Sequence, residues 1–393
     1  MKEFRKKKHH YIPLIAGLVI ILAAVLITPS FIPQSACEFY SENVFPAIAL
    51  AGNALCTCEH FSLSENIVVC GGAVLAAGLV YFIVMLIVKL FRGGAGQYLC
   101  KVIAGVLVFT IIFAFCFQLM HGMNFRRYSA KDLFKLEDGN YTIDDYTQAL
   151  DWAYNGMVSA RAELGEDYNG VGHMQYSFED SSLYANSLID SIMAKYGINA
   201  SPNFVRAKPV ALSHYWSYLH ITGAYDPILG EVNINTDYMD ITDYGQRLCH
   251  EILHAKGFAS ETDCNMIAVI ACLSASRPDF RYCGYYQVFW SLYNVTADYC
   301  AAKGVEMTDY VNRDAMKPVL RDARASSMYW KVIDSEVTKL KSELFGINAT
   351  DVAETVNNAY LEAYGQDGGT DTYTVPENYY LEFYETYVVN ENA

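Results

Sequence analysis

The chain has 393 residues, 28 Lys/Arg against 43 Asp/Glu for a net charge of −15, and 53% hydrophobic residues. A chain this acidic has no overall field with which to hold nucleic acid, and eleven cysteines spread over such a length do not make a small disulfide framework. The apolar residues gather early and the acid late: after residue 120 there are 20 basic and 38 acidic side chains.

Three apolar runs come first, at about 11–28, 67–88 and 101–120. Each approaches the roughly 20 residues that a membrane-spanning helix needs, the first being at the short end. The basic start from Met1 to Lys8 before the first run has the form of a signal peptide. No small-residue cleavage site follows it and two further runs do, so the run reads as a retained anchor. Basic residues near the runs set the orientation. Lys2, Arg5, Lys6, Lys7 and Lys8 precede the first run, and Lys89, Arg92 and Lys101 follow the second; the stretch 29–66 has Glu38, Glu42, Glu59 and Glu65 and no Lys or Arg. Both basic segments belong in the cytoplasm, and three crossings place everything from His121 onward outside. Arg126 and Arg127, just past the third run, oppose this and are outnumbered. The expected organisation is a membrane domain, 1–120, in the lipid bilayer and an extracytoplasmic domain, 121–393, in a multi-pass protein of the cell membrane.

Cys70, Cys100 and Cys116 fall in or beside the runs as packing residues, and Cys37, Cys56 and Cys58 lie in the outer stretch. The three in the outer stretch could pair, although Cys56 and Cys58 are too close to each other for an easy bridge.

The later region is mainly helical with a small sheet. Apolar residues recur at helical spacing over 144–164 and 181–196, where Gly197 stops the helix. Segments 209–213 and 232–235 read as strands, with a turn at Asp226-Pro227 between them. Further helices are expected at 313–345, at 351–364 between an Asp351 cap and a Gly365 stop, and at 377–387. The fold class is α+β: three transmembrane helices, then a mainly helical, zincin-like domain.

His250-Glu251-Ile252-Leu253-His254 is the most informative stretch. HExxH on a helix sets two imidazoles one turn apart on one face, able to share a Zn²⁺, with the glutamate beside the metal as a proton acceptor. Asp243 and Gln246 have capping-box spacing, Leu248, Ile252 and Ala255 face the opposite way, and Gly257 ends the helix. A catalytic zinc needs a third protein ligand and one open position. A second helix starts near Ser260, and its first carboxylate, Glu261, is the candidate ligand; Asn265 shares its face and is expected to orient a ligand. Asp263 lies about 200° around the helix from Glu261, so both cannot face one ion. Cys264, among apolar neighbours, reads as a core thiol, as do Cys249 and Cys272. Tyr282 is the aromatic candidate for oxyanion stabilisation. His214 and His220 are read as structural, and His9 and His10 belong to the basic arm.

HExxH followed by a helix of the form Glu-x-x-(Ala/Cys)-(Asp/Asn) resembles the gluzincin-type membrane peptidases, such as the HtpX heat-shock peptidases and the CAAX prenyl proteases. The chain is more closely similar to a bacterial membrane family, domain of unknown function 3810. The stretches that carry this are Cys37-Glu38-Phe39-Tyr40-Ser41, Gly122-Met123-Asn124-Phe125-Arg126-Arg127, Gly230-Glu231-Val232-Asn233-Ile234-Asn235-Thr236, the run 249–272, and Val356-Asn357-Asn358-Ala359-Tyr360-Leu361. The chain departs from that family in having Asp263-Cys264 where a Glu-Ala pair is common. The resemblance implies a membrane-anchored zinc peptidase.

The expected function is therefore hydrolysis of a peptide or protein substrate, with His250, His254 and Glu261 holding Zn²⁺ and Glu251 moving the proton. The alternative is a non-catalytic membrane interaction or sensing protein with a structural zinc. Nothing in the sequence sets the oligomeric state.

Overall fold

A computed structural model describes residues 11–56, 60–304, 306–307, 311–343, 354–355, 357–359, 361–362 and 373–389. The basic arm with His9 and His10, Cys58, Phe345 at the expected helix end, the Asp351 cap, the Gly365 stop, Val356 and Tyr360 lie outside the described residues.

The apolar runs are helices α1 (Tyr11–Ile27), α4 (Leu63–Arg92) and α5 (Ala95–Met120), each long and apolar enough to cross a membrane once the turn after α1 is included. Both later helices extend beyond their hydropathic cores. Ser62 caps α4, its hydroxyl accepting from the Glu65 amide at 2.9 Å, so the helix starts before residue 67. The polar turn through Arg92 then continues it to Gly93 and Gly94, whose positive φ angles turn the chain into α5. Hydropathy marks the lipid-facing centre of such a helix, not its polar ends.

Between α1 and α4 lie α2 (Gln34–Asn43) and α3 (Phe45–Cys56), and these pack onto the later region. The buried Glu38 carboxylate pairs with Arg127 at 2.7 Å. Arg127 also donates to the carbonyls of Gly257 at 3.1 Å and Asn199 at 2.7 Å, and lies over the Phe258 ring. Ser41 donates to Asn124 at 2.7 Å, and Tyr40 to the Leu119 carbonyl at 2.5 Å. Phe45 and Ala49 of α3 form a small apolar cluster with Met120.

After the short α6 (Ala130–Leu133), the main core is helical, built from α7 (Ile143–Ala162), α8 (Phe178–Tyr196), α10 (Tyr244–Ala255), α11 (Glu261–Leu273) and α12 (Pro278–Lys303), beside α13 (Lys317–Glu343) and α14 (Glu377–Tyr384). Against α10 lies a three-stranded sheet of order β1-β3-β2, from β1 (Ala207–Pro209), β2 (Gly223–Asp226) and β3 (Glu231–Ile234). β1 runs parallel to β3 and β2 antiparallel to it. An α+β chain with a small sheet and three long apolar helices is thus what the sequence indicated.

Two details differ from the sequence reading. The first strand stops at Pro209 and does not reach residue 213, because Glu65 takes the amides of Ala211 and Leu212, at 2.9 and 2.7 Å, out of any ladder. A short helix, α9 (Ser213–Ser217), follows instead. The strand read at 232–235 is central, so the strand edge facing the histidines belongs to β2. Gly223-Ala224-Tyr225-Asp226 has no β-branched residue, and its strand signal was weak.

Candidate metal centre

α10 presents His250 and His254 on one face, while Leu248, Ile252 and Ala255 are buried on the other. The expected capping box does not form. The Asp243 carboxylate is turned to Arg247 at 2.6 Å, and Gln246 donates to Asn265 at 2.8 Å. Burial against a core holds the helix where a cap would otherwise help. Gly257, at φ 98°, ends it, since only glycine takes that conformation freely. Ser260 caps α11, its hydroxyl accepting from the Asp263 amide at 3.3 Å, and this places Glu261 in the first turn.

The three candidate ligands meet. His250 Nε2 and His254 Nε2 are 3.0 Å apart, and Glu261 Oε2 lies 3.0 Å from the first and 3.6 Å from the second. All three residues are buried, and Glu261 Oε2 has no hydrogen-bond partner among the described residues. His254 Nδ1 stands 3.0 Å from the Phe258 carbonyl, an acceptor for a proton on that nitrogen. Two imidazole Nε2 atoms and a carboxylate oxygen turned to one point are a donor set suited to a divalent cation. The electrostatics agree: against burial, Cys264 and Glu261 favour positive charge on His254. Glu261 in turn is held below the usual carboxylate range despite burial, by His254 and His250. A shared cation satisfies the same balance.

These side chains open on a cleft of about 780 Å³ lined by the 219–225 segment, α10, α11 and Tyr373. Glu251 lines it too, its carboxyl pushed above the usual range by burial and partly restrained by His250 and His254. The carboxylate rests on β2: a Cβ on Gly223 would stand 2.7 Å from Glu251 Oε1 and 2.8 Å from Cγ. Gly223→Ala is therefore expected to displace the carboxylate by about 1 Å, a misplacement that costs about 10²-fold in any proton transfer Glu251 performs. Bound metal and unfolding temperature should barely change, which metal analysis and a melt on the same preparation would show.

His121 and Tyr225 also line the cleft, and sequence reasoning passed over both. The His121 ring lies 5.6 Å from that of His254 and 5.5 Å from that of Tyr225. His121 Nδ1 and Tyr225 Oη are buried without hydrogen-bond partners among the described residues. Burial, with His254 nearby, lowers His121 to about 3, so it is neutral. The only sequence signal was position: His121 directly follows an apolar run, and nothing ties it locally to residue 250.

Other candidates sit elsewhere. Tyr282 is fully buried and donates to Asp322 at 3.0 Å, outside the cleft lining, which rules out the oxyanion role read for it. Its position on α12 turns it to the α7 and α13 side, where Asp322 also holds Arg161. Asn265 lines the cleft but holds no ligand: it accepts from Gln246 and donates to the Tyr373 carbonyl at 2.7 Å. Tyr373, brought in this way, stacks near His250 with centroids 6.5 Å apart. Cys264 is buried as expected, with Sγ 3.5 Å from His254 Nδ1. His214 is paired with Asp237 and Glu336, and His220 with Asp334 at the cleft rim.

Asp263 does turn away from Glu261, accepting from the Ala130 amide at 2.7 Å. Burial pushes its carboxyl up to about 6, hydrogen bond notwithstanding. The folded protein then holds this proton more tightly than the unfolded chain. Stability should fall as pH rises through the window from about 4 to 6 and level off above it. Asp263→Asn lacks that fall and should gain on the native protein by up to about 3 kcal/mol at pH 8, and by about 1 kcal/mol at pH 4.5. Paired melts at the two pH values measure it.

A family model described as "Protein of unknown function (DUF3810)" matches residues 40–376. The chain belongs to that family. The match takes in α4, α5, the sheet and all three residues of the His–His–Glu cluster. No curated protein and no solved structure matches the chain. Two of the stretches by which the sequence resembled the family, 37–41 and 122–127, are in contact through the Glu38–Arg127 and Ser41–Asn124 pairs. A third, 230–236, contains β3, and its Glu231 clamps the first turn of α4.

Proposed function

We propose that the protein is a membrane-anchored, zinc-dependent peptidase of zincin-like design, its later region outside the cytoplasm. One observation carries this reading: ligand atoms of His250, His254 and Glu261 converge to 3.0–3.6 Å of one another, with Glu251 beside them in a cleft edged by a strand.

Bound there, Zn²⁺ supplies Lewis-acid polarisation of a carbonyl and a more acidic water. The chain does the rest. Glu251 accepts a proton from water and hands it to the departing amine nitrogen. The outer edge of β2, paired only through β3 among the described residues, offers backbone groups to an extended peptide. Tyr225 Oη and a ring N–H of His121 are the unpaired groups able to donate to the substrate carbonyl oxygen. The acidic balance of the later region and the stretch 29–66 without Lys or Arg support the exterior placement. Arg127, which opposed it by count, is neutralised inside the fold by Glu38.

The test is hydrolysis of a quenched-fluorescent peptide library by purified full-length protein. Turnover should cease on chelation and return with zinc. The second reading, a non-catalytic zinc site, draws on Tyr373 stacking beside His250. It predicts stoichiometric zinc and no turnover under any of these conditions.

A further inference from the structure

The cleft is tied to the membrane-spanning helices more closely than a tethered soluble enzyme requires. α5 has 26 residues, Ala95–Met120. At 1.5 Å per residue this is about 39 Å, against a hydrocarbon core of about 30 Å, so its end lies within about 10 Å of the lipid boundary. Its last turn is already packed against α2 and α3, which lie on the later region: Gln118 and Met120 are buried, Met120 against Phe45 and Ala49, and Tyr40 holds the Leu119 carbonyl. The very next residue is His121, 5% exposed, which lines the cleft with its ring 5.6 Å from that of His254. One residue therefore separates a membrane span from contact with a candidate metal ligand.

A second tether reaches the strand edge of the cleft. Glu231, fully buried on β3, accepts from the Leu63 and Ser64 amides at 3.0 and 2.6 Å and pairs with Lys208 at 2.7 Å. This fixes the first turn of α4 to the sheet whose β2 edge faces the site. Between α1 and α4, Phe31 and Phe39 are exposed, 81% and 62%, as suits side chains at a lipid interface. Two spans thus hold the cleft at a set, short height above the bilayer.

We infer that the substrates are membrane-anchored polypeptides cut close to where they leave the bilayer. This rests on the hydrolase reading above and gives it a substrate class. An extended chain rises about 3.3 Å per residue, so three residues cover about 10 Å, and bonds about three to eight residues from a span come within reach. A soluble peptide gains nothing from the height of the cleft. An anchored one shares the plane of the enzyme and meets the site at a raised effective concentration.

The experiment uses full-length protein reconstituted in phosphatidylcholine vesicles with one reporter sequence, chosen from the peptide library, in three forms. One is the free peptide; two are fused to a single-span helix with the scissile bond about 5 or about 25 residues from the lipid. Expected is at least a 10-fold faster cleavage of the short-spacer form than of either other form at equal bulk concentration, all of it lost in Glu251→Gln. Equal rates for the three forms, or preference for the long spacer, overturn the inference while leaving a Glu251-dependent hydrolase in place. No cleavage of any form overturns the hydrolase reading, and this inference with it.

Discussion

Glu251→Gln is expected to lower turnover by about 10²- to 10⁴-fold, the contribution of a positioned acid–base group, with zinc content unchanged. The amide keeps the size of the carboxylate, so the fit against Gly223, where a Cβ would already be 2.7 Å away, is preserved. It cannot accept the proton. Glu251 is not among the three converging donors, so its loss leaves the metal set whole. The measurement is kcat on the best library peptide, beside metal analysis of the same sample. Turnover within a few-fold of the native value would remove Glu251 from its role.

Arg127→Met is expected to destabilise the protein by about 3–5 kcal/mol, since it strands a buried carboxylate. Glu38 is buried, and Arg127 supplies its ion pair at 2.7 Å. The same guanidinium satisfies the carbonyls of Gly257, directly after α10, and of Asn199. A thermal melt should fall well below the native midpoint. Glu38→Gln with Arg127→Met should recover part of the loss, because no charge is then left unpaired. A melt of Arg127→Met matching the native one would show that this junction does not hold the outer segment to the core.

What the sequence disclosed follows from how local each signal is. The three apolar helices and the helices of the metal centre announced themselves by length and period. Glu261 was placed beside the histidines because it opens the helix after Ser260, and Asp263 points away from them by its angle on that helix. The failures are tertiary. Tyr282 lay near the ligand helix in sequence, but α12 carries it toward Asp322. Asp243 and Gln246 had capping spacing, but Arg247 and Asn265 compete for them. His121 and Tyr225 were invisible because a span and a weak strand bring them to residue 254 from more than a hundred and about thirty positions away. The pairing of 37–41 with 122–127 was equally hidden, since a motif does not reveal which other motif it touches.

Zinc analysis of purified full-length protein beside Glu261→Ala probes the convergence most directly. One zinc per chain in the native protein is expected, with affinity reduced by orders of magnitude in the variant and the fold intact by its melt. A native protein that retains no zinc after dialysis, or a Glu261→Ala protein that binds it equally tightly, would contradict a site formed by His250, His254 and Glu261.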